Sequence, residues 1–197
     1  MDFVRFSMVT GALTLVACNS GGPDGQDVAE SCTTGIPTTV VDFEITGAEE
    51  RSASFEIPCG QPDGAYGTLG QHNSPAEGDP RVLVIAFAEG PELWMVTVGA
   101  NVDPVTTGET PVMLEGSPGF GRFGHGAFTI PMTADGDFYF ATGGTVTIEA
   151  VDELDLGYLK YIVVSGSFDA SFAHEDTGAI VDVTAEFTNF LAAAYLE

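Results

Sequence analysis

Positive charge is what this sequence has least of. Its 197 residues carry five Lys and Arg together against 29 Asp and Glu, a formal net charge of −24 at neutral pH. The single lysine is Lys160, and the arginines are Arg5, Arg51, Arg81 and Arg122. Such a chain repels phosphate backbones and anionic headgroups, which excludes nucleic acid as a partner and adhesion to a membrane by charge. Long apolar runs are missing as well. The most apolar stretch near the start, Phe6 to Ala17, is shorter than the about 20 residues a membrane-spanning helix needs. Histidine is confined to His72, His125 and His174, and no CxxC pair occurs. A zinc site is therefore not expected. Helical periodicity is scarce, which argues against a helix bundle.

The acid excess has two readings. It is a solvated surface tuned to a salty medium, or a face for cations, basic proteins or neutral glycans. Candidate partners are accordingly a glycan or a protein.

The amino-terminal residues carry an address. Arg5 precedes the apolar run, with Asp2 offsetting it, and the run ends in Leu15-Val16-Ala17-Cys18. This arrangement fits a secretory signal, and its last four residues resemble the lipobox of bacterial lipoproteins. The resemblance implies that residues 1–17 are a signal peptide cut before Cys18, whose thiol takes a diacylglyceryl group and whose new amino terminus is acylated, for instance by palmitate. Several acyl chains anchor a protein stably where one holds it only marginally. The residue after the cysteine is Asn19 rather than an aspartate, which within that family implies the outer membrane of the cell envelope. The membrane is thus an expected partner through the lipid, and the rest of the chain is expected to be soluble. Removing residues 1–17 takes away one cation and one acid, so the remainder keeps its charge of −24.

With Cys18 lipidated, Cys32 and Cys59 remain in an oxidising compartment and are expected to form a disulfide. Closing that loop would stabilise the fold by about 3 kcal/mol. Residues 18–35 are small and polar and read as a flexible tether. Residues 36–197 then form one domain.

Within that domain, alternation of period two dominates. Val41, Phe43 and Ile45 face one way against Asp42 and Glu44, and Ala53, Phe55 and Ile57 against Ser52, Ser54 and Glu56. Arg81 to Ala88 is apolar on both faces and reads as a central strand covered on both sides. After the Gly90-Pro91 turn signal, Glu92 to Val98 is its expected hairpin partner. Val146, Ile148 and Ala150 alternate with Thr145, Thr147 and Glu149; Ile162, Val164, Phe168, Ala170 and Phe172 alternate with Ser165, Ser167, Asp169 and Ser171; Val181, Val183, Ala185 and Phe187 alternate with Asp182, Thr184 and Glu186. With about nine or ten short strands, the fold class is all-β, an antiparallel β-sandwich, with a β-barrel as the alternative. The C-terminal part, about 50 residues of this alternation, is similar to β-sandwich domains of uncharacterised bacterial lipoproteins. That likeness implies the fold and no activity.

Four motifs bear on chemistry. Gly119-Phe120-Gly121-Arg122-Phe123-Gly124 spells GxGxxG, but a dinucleotide fingerprint needs a following helix, and a strand from Ala127 follows. The same loop could present Phe120, Arg122, Phe123 and His125 to a sugar ring or a protein; a plain glycine-rich connection is the other reading. Ser165, Ser167, Asp169 and His174 have the residue types of a hydrolase triad, yet they lie along one extended strand with no GxSxG elbow. Acidic turns are the better lead. Asp135 and Asp137 in one, and Asp152 and Asp155 in another, could supply oxygens to calcium, with Glu175 and Asp176 closing the last hairpin. Acidic residues are equally ordinary turn formers.

Taken together, the sequence leads to a lipid-anchored envelope protein. It is expected to be a non-enzymatic binding or structural module exposed to the periplasm or the cell surface, with no catalytic residue and no cofactor beyond candidate calcium. The alternatives are an envelope glycan hydrolase or lyase using paired carboxylates, and an assembly component that pairs strand edges.

Overall fold

Alternating side chains make strands because successive Cβ atoms point to opposite faces. The computed structural model describes residues 35–60, 66–73, 81–89, 94–114, 127–130, 137–157 and 160–194, all of them within the compact unit Cys32–Glu197. They form ten strands: β1 (Thr39–Gly47), β2 (Arg51–Ile57), β3 (Tyr66–Asn73), β4 (Val82–Glu89), β5 (Trp94–Asn101), β6 (Gly108–Pro111), β7 (Ala127–Ile130), β8 (Asp137–Asp155), β9 (Lys160–His174) and β10 (Ile180–Ala194). A short 3-10 turn, Pro58–Gly60, follows β2. Among the described residues no helix is long and apolar enough to cross a membrane.

Ladders join all ten strands into one mixed sheet, which folds over into the two layers of a β-sandwich. One layer runs β2-β1-β10-β9-β8-β6. The other runs β3-β4-β5-β7. Between them lies the core, built from the inward residues of the alternation, among them Val41, Phe43, Ile85, Phe87, Val98, Phe168, Phe172 and Val183. Aromatic rings span the layers. Phe87 of β4 lies 5.2 Å from Phe43 of β1 and 5.8 Å from Phe168 of β9, centroid to centroid. Phe55 of β2 stacks on Tyr66 of β3 at 4.3 Å. Strands β2 and β6 are the two edges and do not pair with each other, while the ladders β10-β3-β4-β5-β7-β8-β9-β10 return to their start and join the two layers on both sides.

The layers are joined where long strands change partners, and bulges mark the changes. β10 pairs with β1 through Val181–Thr188. It then shifts register between Phe187 and Phe190 and runs alongside β3 through Ala192–Ala194. At the bulge Asn189 takes a left-handed φ of 52°, a conformation that asparagine tolerates better than most residues. Three bonds hold it: Thr39 Oγ1 donates to its carbonyl oxygen at 2.8 Å, its own amide donates to Ser165 Oγ at 3.0 Å, and its Nδ2 donates to the Thr38 carbonyl at 3.3 Å. β8 behaves likewise. Its start pairs with β7, a register shift follows between Ala141 and Gly143, and its middle pairs with β6. Strands that switch layers through bulges are how sandwich corners are made.

Three expectations need correction. The sheet is mixed, not wholly antiparallel, because the β10–β3 ladder is parallel. Ala150 does not continue the inner face of Val146 and Ile148: a second bulge, between Ile148 and Ala150, reverses the faces and leaves Ala150 exposed. Asp152 to Asp155 form no turn, since β8 continues through them, paired with β9 as far as Asp155↔Lys160. The β4–β5 hairpin is present, with β5 described from Trp94; Glu92 lies outside the described residues. The central strand appears as expected, with Val82–Phe87 buried without a break; the outward Val82 and Val84 are covered by Met113.

Candidate functional site

Packing the inner face of the six-strand layer forces every intervening residue outward, and register decides which of these meet. Two complete rows result. Across β2-β1-β10-β9-β8-β6, one row reads Ser54, Asp42, Glu186, Ser167, Thr147 and Glu109. The next reads Ser52, Glu44, Thr184, Asp169 and Thr145, ending on Pro111. At about 4.8 Å between strands, each row is roughly 24 Å long.

These residues line an open trough of about 940 Å³. Its floor includes Phe43, Phe168 and Ala185, and its walls are the carboxylates and hydroxyls of the two rows. Among the described residues five carboxylates, Asp42, Glu44, Glu109, Asp169 and Glu186, face it without a single Lys, Arg or His. All five are exposed, whereas Thr145, Thr147 and Ser167 are half-buried. Asp42 and Glu186 are direct cross-strand partners, a position in which like charges repel. The trough is therefore a field of negative potential, rich in acceptors and supplied with hydroxyl donors. One row further along, Ser171 donates a hydrogen bond to Asp182.

Phe120, Arg122, Phe123 and His125 lie outside the described residues, as do Cys18, Cys32 and Asp135. Asp137 begins β8 and Asp152 and Asp155 lie near its far end, on a strand of 19 residues, so the structure does not bring them together. Asp155 accepts a hydrogen bond from the Gly157 amide at 2.7 Å and pairs with Lys160 at 3.8 Å. Among the described residues no group of three or more His, Cys, Asp or Glu could hold a metal ion.

Ser167 and Asp169 belong to the trough, but His174 does not complete a triad with them. Its Nδ1 accepts the amides of Asp176 and Thr177 at 3.1 and 3.2 Å, tying down the β9–β10 turn, and its ring stands edge-on to Tyr139. His72 is buried in β3 and donates through Nε2 to the Val102 carbonyl at 2.8 Å, leaving Nδ1 without a partner. Cys59 takes a left-handed φ of 55° in the turn after β2. It is disulfide-bonded, to a partner outside the described residues.

The trough was not found from the sequence as a site. The alternation displayed each of its residues as outward, but only the register shows that they share two rows. No protein-family profile, curated protein or solved structure matches the chain.

Proposed function

We propose that this chain is a non-enzymatic binding module, held to the bacterial envelope by a lipid on Cys18, whose trough takes a neutral, hydroxyl-rich ligand of the glycan class. The observation that carries this reading is the pair of cross-strand rows in which carboxylates and hydroxyls share one open face. Carboxylates only accept hydrogen bonds, while Ser and Thr both donate and accept. The ligand that suits them offers many donors and no negative charge, which describes a neutral sugar chain better than an anionic one. A hydrogen bond to a charged group contributes about 1.5–3 kcal/mol. Asp42→Asn and Glu186→Gln, which keep shape and remove charge, should each weaken binding roughly 10- to 100-fold. Calorimetry of the protein against neutral oligosaccharides, with uronic acid oligomers as controls, tests it. The reading fails if no neutral glycan binds, or if the double variant binds as the parent does.

The address rests on Leu15-Val16-Ala17-Cys18 and leads to an outer-membrane lipoprotein. Labelled palmitate should enter the parent and not the Cys18→Ser variant. With Cys18 lipidated, Cys32 is our assignment for the partner of Cys59. A second reading, a glycan-cleaving enzyme, is favoured by the direct opposition of Asp42 and Glu186, since retaining enzymes hold two carboxyls about 5 Å apart. Both side chains are exposed, however, whereas a catalytic acid is ordinarily a carboxyl withdrawn from water. Release of reducing ends from a bound glycan would establish that reading instead.

A further inference from the structure

The two edges of the trough layer are finished differently. β6 is four residues long and ends on Pro111. The chain beyond it is tied to the other layer, by a bridge from Val112 to Ala100 and by the Met113 amide donating to the Gly99 carbonyl at 2.8 Å. A short strand closed by proline and covered by its own continuation is a protected edge. β2, at the opposite edge, is seven residues long and pairs with β1 without a bulge. It has no proline, and no charge between Arg51 and Glu56. Beyond its ladder to β1, none of its residues makes a backbone hydrogen bond among the described residues. Its one terminal cation, Arg51, pairs with Glu89 of β4 at 3.5 Å.

We propose that the free edge of β2 receives a β-strand from a basic partner protein, which joins the layer as a seventh strand. The amides and carbonyls on the outer side of β2 supply the main-chain bonds of such an addition. Register supplies the rest. Alternate side chains of the added strand would lie beside Ser52 and Ser54, on the face of the trough, with Asp42 and Glu44 one strand beyond, about 9–10 Å away. Lysine or arginine at those positions spans that gap and meets carboxylates that face no basic side chain among the described residues. The other alternate residues would lie beside Ala53 and Phe55 on the core side, where apolar side chains fit. The recognised pattern is therefore basic and apolar residues in alternation. A second copy of this chain fits poorly, because it brings its own charge of −24 and an Arg51 already paired. The inference does not depend on which ligand fills the trough.

The test is hydrogen exchange read by mass spectrometry on the full-length protein in neutral detergent, with a nonapeptide of alternating lysine and valine as the probe. Two controls accompany it: the same peptide with glutamate for lysine, and the lysine peptide N-methylated at its three central residues, which removes donors from both of its edges. The lysine peptide should slow exchange across residues 51–57 at least tenfold, while both controls leave it unchanged. Three results would overturn the proposal. Equal protection by the N-methylated peptide would mean attraction of charge without strand pairing. Protection of 51–57 that grows with protein concentration and no peptide would make the occupant a second copy. No protection by any peptide would mean the edge is closed.

Discussion

Gly70 is a place where a single added methyl group should be costly. It pairs with Ala192 in the parallel ladder that joins β3 to β10, one of the corners where the layers meet. A Cβ added there would stand 2.1 Å from the Leu191 carbonyl oxygen and 2.8 Å from the Ala192 Cα, well inside the roughly 3.5 Å of normal carbon contact. Both are main-chain atoms, so no side chain can turn aside and the strands must part by about 1 Å. Overpacking of this kind costs about 1–3 kcal/mol, and each ladder hydrogen bond lost adds about 0.5–1.5 kcal/mol. Gly70→Ala should therefore destabilise the protein by roughly 2–5 kcal/mol, lowering Tm by about 5–15 °C for a chain of this size. Gly67 is the control. It lies on the same strand with nothing within 4 Å of its would-be Cβ, so Gly67→Ala should be neutral, or stabilising by up to about 1 kcal/mol through a less free unfolded chain. Denaturant unfolding of both variants decides it. Equal effects at the two positions would refute the corner as described.

Four further outcomes follow from the fold. Phe87→Ala removes the ring that contacts both Phe43 and Phe168 across the layers and should cost about 3–5 kcal/mol by chemical denaturation. Asn189→Ala loses the bond to Thr38 and places an alanine at φ 52°, which should cost about 1–3 kcal/mol, and Asn189→Gly should cost less because glycine is at ease there. Raising sodium chloride from about 10 mM to 0.5 M should raise Tm by screening self-repulsion. Calcium and magnesium at equal ionic strength should match each other, because Asp137 is far along β8 from Asp152 and Asp155. A calcium-specific rise would contradict that.

The strands were legible because the alternation is clean. Val41, Phe43, Ile45, Phe168, Phe172 and Val183 are all buried as their spacing implied. The central strand was legible in the unbroken apolar run from Val82 to Phe87. The bulges were not. Neither Asn189 nor Glu149 belongs to a residue type that announces a bulge, and a bulge depends on what the neighbouring strand does. Ala150 was misplaced for that reason. The acidic turn at Asp152 to Asp155 was misread because its composition suits a turn, while the pairing of β8 with β9 overrides it. The trough was hidden more deeply. Asp42 meets Glu186, and Glu44 meets Thr184, through pairings between the two ends of the chain. Local pattern gives the outward face of each strand; only long-range register makes those faces a site.

The central claim is that ligand enters on the acid-and-hydroxyl face of the six-strand layer. Amide chemical shifts of isotopically labelled protein, titrated with a neutral oligosaccharide, test it most directly. The account predicts that the largest changes fall on residues 42–44, 52–54, 145–147, 167–169 and 184–186, the segments that build the trough. Changes centred on β4 and β5 in the opposite layer, or none at saturating sugar, would contradict it.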